Sequence, residues 1–160
     1  MQGDHARHAR ETRTRLGASA ETERGQVRAR SDALRRIQDR LVFFEMTGPF
    51  NKEFFQMLEA GHRALAYGPA PSRAFANIVK VRGSLVMSAE AIEVYGHYVR
   101  SIRAAATAHV MGPEVVGRTT MVPLLARLYS EAGKSFGVFD DVPSAVSWAV
   151  AQLDASSQPA

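Results

Sequence analysis

Apolar positions along this chain fall into blocks that switch between strand-like runs and helical spacing. Ala33 to Ile37 reads as a first strand, followed by a polar turn at Gln38-Asp39-Arg40 and a clearer strand from Leu41 to Thr47. Together they predict an antiparallel hairpin. A helical turn is the rival for the first segment, because Leu34, Ile37 and Leu41 also share helical spacing. Gly48-Pro49 breaks the chain, Asn51 offers an N-cap, and Glu53 places a carboxylate near the positive end of a helix dipole. Phe54, Phe55, Leu58, His62 and Leu65 then form one stripe of a helix reaching about Ala66, stopped by Gly68-Pro69-Ala70-Pro71.

The same alternation recurs three times. Ala74 to Val81 predicts a short buried strand, with Lys80 and Arg82 marking its emergence into solvent, and Ser88 caps a helix carrying Ile92, Tyr95, Val99 and Ile102. Thr107 to Met111 predicts the next strand. The helix after it spans about Met121 to Ala132, its start placed near Thr119 or Thr120 so that Pro123 lies in the first turn. Gly133 ends that helix, Phe136 to Phe139 forms a last strand, and Asp141 caps a final helix containing Trp148, with Pro143 in its first turn. Strands alternating with helices imply right-handed crossovers. The expected fold is therefore α/β, a mixed sheet with an N-terminal antiparallel hairpin, parallel later strands and about four helices.

Composition sharpens this reading at the termini. The 160 residues suit one domain, expected over 31–154, with a flexible tail at 155–160. Residues 1 to 40 hold ten arginines against six acids, whereas residues 41 to 160 hold ten basic and ten acidic residues, so the net charge of +4 belongs to the leader. An arginine- and alanine-rich segment over 1–30 buries too little to offset its ordering entropy, and disorder is expected there. A start at Val27 is an alternative reading of the composition break near Gly25. The acids Asp4, Glu11, Glu21 and Glu23 argue against a transit peptide. Nucleic acid is not the expected partner, although the leader arginines could attract it nonspecifically. No apolar run reaches the roughly 20 residues that span a bilayer. A cytoplasmic location without membrane partners is expected. The absence of cysteine excludes disulfides, thiolate catalysis and thiolate-ligated metals.

The order of elements and several local segments resemble the STAS-like domains related to anti-sigma-factor antagonists of bacteria, especially the SpoIIAA-like branch. The resemblance covers about residues 33 to 153. Its carriers are Leu41 to Phe50, the Ala108-His109-Val110-Met111-Gly112 strand exit, and Val138-Phe139-Asp140-Asp141 followed by Ala145 and Trp148. The resemblance implies a regulatory module rather than an enzyme. In the phosphorylatable members a serine or threonine sits at the start of the helix after the central strand, a region that here holds Ser84 and Ser88. The surrounding Arg82 to Ser88 segment departs from the aspartate- and serine-rich pattern of those members, and Ser88 is more simply a helix cap.

Chemistry-bearing patterns are sparse. His5, His8, His62, His97 and His109 form no His-x-x-x-His pair, so no metal is expected, and His109 reads as a hydrogen-bonded, partly buried strand residue. The chain has no Gly-x-Ser-x-Gly elbow, P-loop lysine or dinucleotide-binding glycine triplet, and no cofactor is expected. Arg118-Thr119-Thr120 before a helix could hold a carboxylate or phosphate. Asp140-Asp141 reads as a cap beside a solvated carboxylate.

The leading expectation is a noncatalytic regulatory or interaction module. It would bind an unidentified protein partner or small ligand at the loops after its parallel strands, through Arg82, Ser84, Ser88, Arg118, Thr119 and Thr120. The alternative is a carrier or sensor of an apolar, lipid-like molecule, with a pocket at Met87, Tyr95 and Tyr98. An enzyme using Arg118 for an anionic substrate and His109 as base is a third reading. Self-association is open as well, through an edge strand bearing Phe43 and Phe44.

Overall fold

A computed structural model describes residues 34–38, 40–66 and 74–157. The arginine-rich leader at 1–30, the Gly68–Pro71 loop and the last residues of the tail lie outside the described residues. The elements run β1 (Leu34–Gln38), β2 (Leu41–Thr47), α1 (Lys52–Ala66), β3 (Ala76–Arg82), α2 (Ala89–Ser101), β4 (Ala106–Val110), α3 (Arg118–Glu131), β5 (Ser135–Phe139) and α4 (Val142–Ser156).

The expected mixed sheet built on an antiparallel hairpin is corrected by this arrangement. The sheet on which the helices pack is four strands, β2 to β5, all parallel and in chain order, each followed by a helix. The segment β1 pairs along the outer edge of β2, running antiparallel to it. Each of the four parallel strands is followed by a helix that can cover it, whereas β1 leads directly into β2.

Sequential order and right-handed crossovers put α1, α2 and α3 on one face. Alternation along the strands sends Val42, Phe44, Met46, Val79, Val81 and Met111 to that face, where they meet Phe54, Phe55, Leu58, Tyr95, Tyr98, Leu125 and Tyr129. After β5 the chain crosses to the opposite face, and α4 lays Ala145, Ala149 and Leu153 over Ala76, Ile78, Ala106, Ala108 and Val110. Small residues on both sides allow close approach. Trp148 covers Gly137, where an added Cβ would stand 3.3 Å from Trp148 Cε2, and packs on Phe139 at 5.4 Å between ring centroids. Toward the carboxyl end of β2 and β3 this face turns polar, with exposed Lys80 and an ion pair of 2.7 Å between Arg82 and Glu45. No helix among the described residues is long and apolar enough to cross a membrane.

Three helix starts use the caps read from sequence. Asn51 Oδ1 accepts from Phe54 N at 3.0 Å, Ser88 Oγ from Ala91 N at 3.2 Å, and Asp141 Oδ1 from Ser144 N at 2.8 Å. The start of α3 differs from expectation. It begins at Arg118 directly after Gly117, whose φ of 79° is left-handed and whose position supplies no side-chain cap. Pro123 therefore lies in the second turn rather than the first, where it withholds an amide from the helix ladder.

Candidate functional site

The carboxyl ends of β3 and β4 lead into two loops that are zipped together. Leu85 N donates to Val116 O at 2.8 Å and Val116 N to Gly83 O at 2.9 Å, forming an isolated parallel bridge between Ser84 and Val116. Extended backbone alternates its side chains, so burying Leu85 and Val115 in the core turns their neighbours Val86 and Val116 outward. These two are 53% and 60% exposed, and a Cβ at Gly117 would come within 2.7 Å of Val86 Cγ2. The glycine is thus required twice, by its left-handed backbone and by the valine methyl lying over it.

A second close approach fixes the loop from below. Gly48 N donates to Arg82 O at 2.9 Å, and a Cβ on Gly48 would stand 1.9 Å from Ser84 O. Side chains could not be tolerated there without moving the loop. Ser84 Oγ accepts from Val86 N at 3.2 Å, so its hydroxyl shapes the turn that presents Val86.

Beside this pair, α3 leaves β4 toward one face while α4 leaves β5 toward the other, which makes the β4–β5 boundary a topological switch point. Arg118 reaches across it to Asp140 at 3.0 Å. Both groups are at least partly solvated, and such a pair contributes little stability, about 0–1 kcal/mol. Its consequence is chemical: the guanidinium expected to hold an anion already has a carboxylate partner.

The structure gathers Ser84, Arg118, Thr119 and Thr120 at this edge, with both threonines exposed. Ser88 follows in the same loop but is occupied as the α2 cap. Arg82 is drawn away to Glu45 on β2. Met87 is half-buried, while Tyr95 and Tyr98 are core residues. The Tyr95 ring lies 4.8 Å from Phe55, and its hydroxyl is 3.1 Å from that of Tyr129. Burial holds both Tyr95 and Tyr98 phenols well above their ordinary pKa. As for the expected dimer edge, Phe44 faces the core and β2 is paired on both sides.

His109 is deeper than its sequence reading. It is 3% exposed, edge-on to Phe136 at 5.1 Å, and its Nδ1 has no hydrogen-bond partner. Desolvation lowers its pKa to about 4, so the imidazole is neutral near pH 7. It sits in the core, whereas Arg118 sits in an ion pair at the edge.

Val86 and Val116 were not singled out by sequence reasoning. The usable signal was alternation, since assigning Leu85 and Val115 to the core forces both valines outward. Among the described residues no group of three or more histidines, cysteines and carboxylates is placed to hold a metal ion. Neither a protein-family model, a curated protein nor a solved structure matches the chain.

Proposed function

We propose that this chain is a noncatalytic regulatory module, of the STAS-like kind its sequence resembles, that docks a protein partner at the carboxyl edge of its sheet. The observation that carries the reading is the exposed pair Val86 and Val116, held on two loops locked by backbone hydrogen bonds. Two β-branched side chains kept in water on a rigid support lose little conformational entropy when covered, which favours association. Ser84, Thr119, Thr120 and the Arg118–Asp140 pair supply the polar rim around an apolar centre that protein interfaces commonly show.

A noncatalytic role is supported by what the edge residues already do. Ser84 shapes a turn, Ser88 caps α2, and Arg118 is paired with Asp140. Both serine hydroxyls accept from backbone amides in these roles, so they serve local structure. A cytoplasmic location belongs to the same proposal. The apolar-carrier reading has weaker support, because the tyrosines on which it rests contribute to core packing.

The test is affinity isolation of the full chain from its native host in three forms: wild type, Val116→Asp and Val150→Asp. Val150 lies on α4 and is also exposed, at 39%. A partner retained by wild type and Val150→Asp but lost from Val116→Asp supports docking at this edge. A partner retained equally by all three removes it.

A further inference from the structure

Tyrosines aside, the buried polar residues among those described are Asn77, Thr107 and His109, exposed by 1%, 2% and 3%. They are neighbours. Asn77 and Thr107 are direct partners across the β3–β4 pairing, and His109 lies two residues beyond Thr107. All three side chains therefore project from the face covered by α1, α2 and α3. Each presents one buried atom without a hydrogen-bond partner: Asn77 Oδ1, Thr107 Oγ1 and His109 Nδ1. The Tyr95 and Thr107 hydroxyls lie near enough to Tyr129 to offset part of the upward push that burial gives its phenol, yet Thr107 Oγ1 meets no partner at hydrogen-bonding geometry.

Three adjacent unsatisfied polar atoms in one core run against the near-complete satisfaction of buried polar groups in folded proteins. We propose that this patch is a structural water site, in which one or two ordered waters bind Asn77 Oδ1, Thr107 Oγ1 and His109 Nδ1. Reach and chemistry both favour water as the ligand. Neighbouring strands are about 4.8 Å apart and residues two apart on a strand about 6.6 Å, spans that one water and a pair of waters bridge at ordinary hydrogen-bond lengths. Asn77 Oδ1 only accepts, the Thr107 hydroxyl both donates and accepts, and a neutral imidazole nitrogen does one or the other. A molecule that donates twice and accepts twice satisfies every such combination. An apolar ligand satisfies none, and an ion of one sign suits only part of the set. Buried waters characteristically make about three hydrogen bonds, the number of atoms waiting here.

Oxygen-17 and deuterium relaxation dispersion of the full chain counts long-lived internal waters and tests the proposal against Thr107→Val, which keeps the side-chain shape and removes the central hydroxyl. The expected result is a loss of one or two long-lived waters in the variant. An unchanged dispersion amplitude overturns the site. If Thr107→Val does not fold, high-resolution crystallography of the wild type decides: water density within hydrogen-bond distance of at least two of the three atoms upholds the assignment, and its absence there overturns it.

Discussion

His109 is where burial and charge compete most openly in this molecule. Packed against Tyr129 and Phe136, it is pushed down by burial to about 4 from the model-peptide value of about 6.5. A depressed histidine pKa means that the unfolded chain takes up a proton the folded chain refuses. The associated stability is fully present above about pH 6.5 and is lost as pH falls toward 4, by about 3 kcal/mol in all. Urea unfolding of the wild type and of His109→Gln at pH 7.5 and pH 4 should show that extra loss in the wild type only. Equal losses in both would place the acid sensitivity elsewhere. Gly117 is the other position where one residue type is demanded. Gly117→Ala must adopt a left-handed backbone and push against Val86, and thermal unfolding should show a loss of at least 1–2 kcal/mol or so.

At the scale of elements, caps and prolines make separable contributions. Ser88→Ala removes one hydrogen bond at the start of α2 and should lower stability by about 1 kcal/mol while partner affinity, measured on the same protein, is unchanged. A loss of binding would mean that Ser88 touches the partner. Pro123→Ala restores an amide in the second turn of α3, and denaturant unfolding should show a gain of about 1–2 kcal/mol, less than the full cost of an interior proline because the unfolded chain also gains freedom. Helices and parallel strands were legible in the sequence because their signals are local: Asn51, Ser88 and Asp141 cap where they were read to cap. The start of α3 was not, since it is set by the bridge between Ser84 and Val116, a contact between segments 32 positions apart. The turn signal at residues 33 to 47 corresponds to an antiparallel edge pairing of β1 with β2, but the sheet that carries the helices is the parallel set β2 to β5, which the expected hairpin-based sheet did not give. The candidate surface was legible in part. Loops after β3 and β4 were expected to meet, but the pairing of Arg118 with Asp140 and the outward turn of Val86 and Val116 depend on side-chain directions that spacing alone does not give.

The whole molecule has two unlike sides and one distinctive edge. Three helices cover one face, a single helix covers most of the other, and the chain switches sides after β5. That switch brings a front loop and a back loop together through Arg118 and Asp140, next to two valines left in water. On this account the edge is a docking surface and the rest of the domain holds it rigid. Site-specific photo-crosslinking in the native host tests that claim most directly, with a benzophenone amino acid placed at Val116 or, as a control on the opposite face, at Val150. The account predicts one discrete protein adduct from position 116, lost when Val86→Asp is added, and no corresponding adduct from position 150. Absence of an adduct at 116, or the same adduct from both positions, would contradict it.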